Sequence, residues 1–223
     1  MIKEYKKLHI DVGANEGKFC INSARFNPDT FVIAFEPIPQ LVESILEQTS
    51  NLKNIKVIQS AISDEEGIKE LNISPTSFYG DYACSSFLKF SDKSKTEWKG
   101  RDDFKVINQI DVNLIRLDNF FIANDITKVD YLKIDTQGYD LRVLKSCGDM
   151  LSIICKGEME AATKNDILYY GQNTKDECIQ FLEANNFKIL DIVPNDIYNN
   201  EVNIIFENIN PKQVIYKKSY NII

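Results

Sequence analysis

No stretch of the chain approaches the roughly 20 consecutive apolar residues that a membrane-spanning helix requires. None of its five cysteines (Cys20, Cys84, Cys147, Cys155, Cys178) stands in a C-x-x-C pair. The first absence excludes a spanning helix. The second leaves neither a disulfide framework nor a zinc site, which suits a reducing cytosol. Positive charge is also short, with 26 Lys and Arg against 33 Asp and Glu and a net charge of -7. A nucleic-acid backbone is therefore not the main partner, because such partners need a basic footprint. The N-terminus passes from Met1-Ile2 straight into Lys3-Glu4 without the apolar core of a signal peptide. A cytoplasmic protein is expected. Repeats and low-complexity tracts are lacking too, and 223 residues, 43% hydrophobic and 26% charged, fit one globular domain.

What is there begins at residues 8–17. Leu8 to Val12 reads as a strand, and Gly13 and Gly17 in Asp11-Val12-Gly13-Ala14-Asn15-Glu16-Gly17 remove side chains where it must turn into a helix. A ligand can then lie against backbone N–H groups. Phe31 to Phe35 follows as a strand buried on both faces and ending in Glu36-Pro37. A carboxylate at the tip of the second strand of a doubly wound sheet is suited to hold two ribose hydroxyls. The dinucleotide fingerprint G-x-G-x-x-G is not met, because Asn15 stands where its middle glycine would be and Glu16 lies beside it. An acidic loop of this kind suits a nucleoside with a cationic amino-acid tail, which is S-adenosylmethionine. Cofactor contacts are expected from Gly13 and Gly17, with Asp11 and Asn15 nearby, from Glu36-Pro37, and from the small residues Ser60 and Ala61 after a third strand at residues 55–59.

Helices are expected at residues 18–25 and 39–48, the second with Leu41, Val42, Ile45 and Leu46 on one face. Residues 68–73 read as an edge strand that a minimal Rossmann unit does not need. Residues 74–103 show no sustained period but carry Trp98 and several tyrosines, so a lid or binding loop inserted into the domain is expected there. A strand pattern resumes at residues 106–117, with Asp118 as the cap of a short helix. A fourth strand ends at Asp135, where Gly138 permits a turn into a helix that begins near Asp140. Ligands gather at the carboxyl ends of such strands, so Asp135 should share a crevice with Gly13 and Glu36. A fifth strand over residues 152–158 closes with Glu158-Met159-Glu160, and residues 169–173 form a second aromatic loop. A helix at residues 175–185 and strands at 187–193 and 202–206 complete the pattern. His9, the single histidine, reads as a packed core residue.

Four blocks, Asp11-Val12-Gly13-Ala14-Asn15-Glu16-Gly17, Phe35-Glu36-Pro37, Arg116-Leu117-Asp118 and Leu132-Lys133-Ile134-Asp135-x-x-Gly138, come in this order over roughly residues 8–160. In these the chain resembles the FkbM-type methyltransferases, class I enzymes that use S-adenosylmethionine. The resemblance implies a Rossmann-like α/β fold, a seven-stranded mostly parallel sheet with helices on both faces. It also implies O-methylation of a hydroxyl on a sugar, glycan or related metabolite. One departure stands out: the family commonly has glutamate two residues after the aspartate and again near position 140, where this chain has Gln137 and Asp140.

The catalytic candidates are Asp135, Asp140 and Glu158. A carboxylate that takes the hydroxyl proton contributes roughly 10²- to 10⁴-fold. A divalent cation, Mg or Mn, can instead stabilise the alkoxide, with Asp135, Glu158 and Glu160 as candidate ligands. Two rivals stand beside this reading: a non-catalytic adenosylmethionine-binding partner subunit, and an NAD-dependent oxidoreductase that lacks the usual glycines.

Overall fold

The computed structural model describes residues 2–74, 82–101 and 104–212. The chain opens into β1 (Lys7–Val12), α1 (Lys18–Phe26), β2 (Thr30–Phe35), α2 (Pro39–Gln48) and β3 (Ile55–Ile58). Every residue of β2 is buried, because it pairs in parallel with β1 on one side and β3 on the other while both of its faces are covered. Val32 and Ala34 pack against Cys20, Ile21 and Ala24 of α1, and Phe31, Ile33 and Phe35 face the larger core. Pro39 at the first turn of α2 starts that helix where its missing N–H costs nothing.

Beyond β3 the chain builds a separate three-stranded sheet from β4 (Ala61–Ile62), β5 (Gly67–Ile73) and β6 (Asn108–Ile115), in the order β4-β6-β5. The expected edge strand is thus the edge of an accessory sheet. Its apolar face, including Leu71, Ile73, Val112 and Leu114, closes on Ile38 and Leu41. Between β5 and β6 lies α3 (Ser94–Glu97). The described part of the long insertion is tied to the body by bridges from Ser86 to Asn72 and from Phe90 to Tyr169. Its residues 75–81 and 102–103, and the tail from 213 on, lie outside the described residues.

After α4 (Leu117–Ala123) come β7 (Tyr131–Ile134), α5 (Asp140–Lys145), β8 (Lys156–Ala162), α6 (Lys175–Ala184), β9 (Phe187–Pro194) and β10 (Glu201–Asn208). The main sheet has seven strands in the order β3-β2-β1-β7-β8-β10-β9, parallel except for β10, which is antiparallel to both its neighbours. The α6 start carries a capping box, Thr174 with Glu177, worth about 1 kcal/mol. Strand order reverses at β1, since β2 and β3 lie to one side and β7 and β8 to the other. That switch point places a crevice at the carboxyl ends of β1 and β7.

Two local expectations are corrected. Arg116, not Asp118, is the cap residue of α4; Asp118 sits in the first turn and pairs with the Arg116 guanidinium. The fifth strand runs from 156 to 162 rather than 152 to 158, because residues 148–153 form a 3-10 turn whose Met150, Leu151 and Ile153 are buried. A short apolar run buries equally well as a turn or a strand, and its periodicity cannot distinguish them. Among the described residues no helix is long and apolar enough to cross a membrane.

Candidate active site

A cavity of about 390 Å³ opens at the switch point, with Val12, Gly13 and Glu36 at one end and Trp98, Glu160 and Glu201 among its other lining residues. Its first end is made largely of backbone. Gly13 has φ +79°, and a Cβ there would lie 1.9 Å from the Asp135 carbonyl oxygen, so only glycine lets β1 turn beside β7. The N–H groups of Gly13 and Ala14 both donate to the Phe35 carbonyl, at 3.0 and 3.1 Å. Glu36, 3% exposed, accepts from the Asn15 N–H at 2.7 Å and the Ile38 N–H at 2.9 Å. It clamps the glycine loop to the start of the next helix. Burial pushes its carboxyl up to about 7, against the lowering effect of those two backbone donors. Each carboxylate oxygen keeps a lone pair for a further donor. Pro37, Ser60 and Ala61 also line this end, and the Ser60 hydroxyl donates to the Asn113 carbonyl at 2.8 Å.

Two of the expected cofactor residues stand behind the wall. Asp11 is fully buried; it accepts from the Cys20 N–H at 3.1 Å and faces the Lys133 ammonium at 3.7 Å, which ties β1 to the start of α1 and to β7. Burial raises its carboxyl, and Lys133 opposes the rise. Gly17, at φ +81°, is the cap residue of α1, where a Cβ would meet the side chains of Ile21 and Ile45. Both residues shape the loop without lining the cavity. Asn15 does line it, and its side-chain oxygen is buried without a partner among the described residues.

The other end is made of side chains. Asp135 sits at the tip of β7, its side chain 40% exposed and 3.3 Å from Lys133. Burial works against the Lys133 ammonium, but Asp135 and Asp11 outweigh it and hold that lysine above its ordinary pKa. The Gln137 amide nitrogen donates to Asp135 at 3.2 Å and to Glu160 at 3.3 Å, while its oxygen accepts from the Tyr169 hydroxyl, 3.0 Å away. The departure from the family pattern therefore has a structural meaning: an amide can donate to both carboxylates at once, and a glutamate would be a third acceptor. Glu160 also accepts from the Asn195 side-chain amide. Burial, then Glu201 and Asp135, raise Glu160 well above the ordinary carboxylate range.

Asp140 and Glu158 are not brought into the cavity. Asp140 is 3% exposed and accepts from the Thr136 N–H at 3.2 Å, bracing the turn that carries Asp135 and Gln137. Burial, then Asp135, push it up to about 7. Glu158 faces a flanking cleft with His9, Phe19 and Tyr131. His9 is half-buried there, with Nδ1 2.9 Å from the Ser23 hydroxyl and its ring stacked on Phe19, and burial lowers its pKa. The proposed metal ligands do not converge either. Glu160 lines the cavity and Glu158 the cleft, and no group of three or more His, Cys, Asp or Glu among the described residues is arranged to hold a metal ion.

Residues that sequence reasoning missed lie mainly in this second end. Trp98, Arg101 and Phe104 come from the segment between β5 and β6, Asn195 and Asp196 from the turn between β9 and β10, and Glu201 from the first position of β10. Only the lone tryptophan in an aperiodic stretch gave a signal.

Comparison with known proteins places this geometry. Residues 11–189 match the model of the family described as the methyltransferase FkbM domain. Methyltransferase sdnD of Sordaria araneosa is 26% identical over 156 residues, covering 61% of this chain and 58% of that protein. The 31-O-demethyl-FK506 methyltransferase FkbM of Streptomyces tacrolimicus is 26% identical over 152 residues, with 62% and 58% covered. This chain thus spans less than two thirds of the length of these curated relatives. Among solved structures, methyltransferase FkbM from Methylobacillus flagellatus KT aligns with TM-score 0.53 at 12% identity, over 91% of this chain and 44% of that one. Methanococcus jannaschii fibrillarin, a pre-rRNA processing protein, aligns with TM-score 0.52 at 15% identity, over 94% and 70%. These two share the fold.

Proposed function

The chain belongs to the methyltransferase FkbM domain family, and we propose that it is an S-adenosylmethionine-dependent O-methyltransferase acting on a hydroxyl of a sugar, glycan or related metabolite. The observation that carries this reading is the continuity of one cavity from the Gly13–Glu36 loop to Asp135 and Glu160.

The residues fit the cofactor. Gly13 draws the loop after β1 against the Asp135 backbone, where any Cβ would collide, and Glu36 has free lone pairs for two ribose hydroxyls. The orphaned Asn15 oxygen is an acceptor suited to an α-ammonium. Ser60 and Ala61 are small enough to flank a planar base. When bound, S-adenosylmethionine supplies an electrophilic methyl on a positively charged sulfur. The chain supplies position and a proton acceptor. Asp135 is a partly exposed carboxylate of the cavity, held by Lys133 on one oxygen and Gln137 on the other. In this reading it takes the acceptor's hydroxyl proton, a contribution of roughly 10²- to 10⁴-fold. Glu160, whose carboxyl burial, Glu201 and Asp135 all raise, accepts from the Gln137 and Asn195 amides and serves to orient.

The test has two arms. S-adenosylhomocysteine at about a hundred times its Kd should stabilise the protein by about 2.7 kcal/mol in thermal denaturation, whereas NAD should not. Incubation of labelled cofactor with a panel of sugars should add one methyl to an acceptor by mass analysis. Stabilisation by NAD alone would sink the reading. Binding without transfer to any hydroxyl compound would make the protein a cofactor-binding module instead.

A further inference from the structure

The acceptor end of the cavity has a charge imbalance that the methyl-transfer reading does not use. Glu160 on β8 and Glu201 at the start of β10 are 4% and 5% exposed, and both line the cavity. Asp135 and Asp196 line the same end. Glu160 receives only neutral amides, from Asn195 and Gln137, and Glu201 is hydrogen-bonded by Gln172. The cations of this neighbourhood are Arg101, which lines the same cavity and lies over the Phe104 ring, and Lys133, which pairs with Asp135 and Asp11 and is outweighed at Glu160 by Glu201, Asp135 and Asp140. Burial first, then Asp135 and Asp196, push the Glu201 carboxyl up to about 8. Buried carboxylates that face one another are costly when acids outnumber the cations beside them, unless a further positive charge is supplied.

A second, independent feature sits in the same wall. Trp98 is 4% exposed and lines the cavity, yet its indole N–H has no partner among the described residues. Buried donors of this kind are normally satisfied. The indole packs at a steep angle against Phe104, ring centroids 5.7 Å apart, so this aromatic wall carries one unused donor.

We propose that this end recognises an acceptor bearing an ammonium group beside its hydroxyls, an amino sugar or aminocyclitol, with Glu160 and Glu201 on the ammonium and the Trp98 N–H on a hydroxyl or ring oxygen. The proposal rests on the methyl-transfer reading and narrows its acceptor class. A phosphorylated or carboxylated sugar would add a negative charge to four carboxylates and is rejected. A neutral sugar satisfies the indole but leaves the carboxylates unbalanced.

The experiment is calorimetric binding to the full chain saturated with S-adenosylhomocysteine at neutral pH, with glucosamine, N-acetylglucosamine, glucose and glucose 6-phosphate as probes. Glucosamine should bind at least about tenfold more tightly than N-acetylglucosamine or glucose, the lower end of what a charge-assisted hydrogen bond contributes. Glucose 6-phosphate should bind weakest. In Glu201→Gln, or in Glu160→Gln, whichever keeps the product's affinity as proof of folding, the amine's advantage should shrink to within about threefold. Equal or weaker binding of glucosamine overturns the proposal, as does a retained advantage in the variants or no sugar binding at all by a protein that holds S-adenosylhomocysteine. Failure to hold S-adenosylhomocysteine in the first place overturns the reading beneath it.

Discussion

The two ends of the cavity are built by different means. The cofactor end comes from neighbouring stretches of chain, residues 13–15, 36–38 and 60–61, and works largely through backbone groups: Gly13 and Ala14 N–H on Phe35, Asn15 and Ile38 N–H on Glu36. The acceptor end is assembled from side chains within residues 82–87, 98–101, 104, 135–139, 160, 168, 195–196 and 201, far apart in sequence. Backbone geometry tolerates almost no change, whereas a wall of side chains can be altered one residue at a time. The first end is accordingly a general device and the second a selective one.

The largest effect should follow from a change at the acceptor end that keeps its shape and removes the proton acceptor. Asp135→Asn keeps the shape and loses the base, so turnover should fall by roughly 10²- to 10⁴-fold, or about 3–5 kcal/mol of barrier. Affinity for S-adenosylhomocysteine should stay within about threefold, since Asp135 is not required to hold the nucleoside. Unimpaired turnover would reduce Asp135 to a partner of Lys133.

Next comes the cofactor end itself. Gly13→Ala forces a Cβ into the Asp135 carbonyl and strains a φ of +79°. Such strain and displacement should cost about 2–4 kcal/mol of stability and abolish cofactor binding. Urea unfolding and calorimetry check both, and a protein of native stability that still binds would show the loop to be softer than its geometry says. A smaller effect is expected at the acceptor end from Gln137→Glu. It replaces a donor shared by two carboxylates with a third acid, at a cost of about 1–3 kcal/mol. Because the glycine loop is untouched, the KM for the acceptor should rise while that for the cofactor holds.

The same contrast explains what could be read from the sequence. The Gly13–Gly17 turn, the Glu36 tip, the order of strands and the Asp135 turn are local patterns, and all four lie where the residues indicated. Asp11 and Gly17 belong to the same motif but stand behind the cavity wall, because spacing reveals a turn and not which of its side chains face inward. Glu158 and Glu160 share one face of β8, so alternation alone did not predict that Glu160 reaches the cavity and Glu158 the cleft. That separation depends on how the β9–β10 hairpin folds Asn195 over Glu160. Trp98 and Glu201 meet only through tertiary packing across about a hundred residues of chain, for which no local pattern exists.

The smallest effect tests which end stores more electrostatic cost. Burial pushes Glu36 up to about 7, Asp140 up to about 7 and Glu201 up to about 8, all above the ordinary carboxylate range. In the interval between that range and about 7 to 8, the folded chain keeps protons that the unfolded chain has released. The stability these groups contribute is therefore fully present below their unfolded pKa values and is lost as pH rises through 7 to 8. The ligand-free protein should melt higher at pH 6 than at pH 8.5, by about 1–3 kcal/mol or roughly 2–10 °C for a chain of this size. Glu36 has two backbone donors that stabilise its charged form, whereas Glu201 faces Asp135, Asp196 and Asp140 with Gln172 as its donor. Glu201→Gln should thus flatten the pH dependence more than Glu36→Gln does, placing the greater strain at the acceptor end. A melting temperature that rises from pH 6 to pH 8.5 would mean that these carboxyls are ionised in the folded state at little cost.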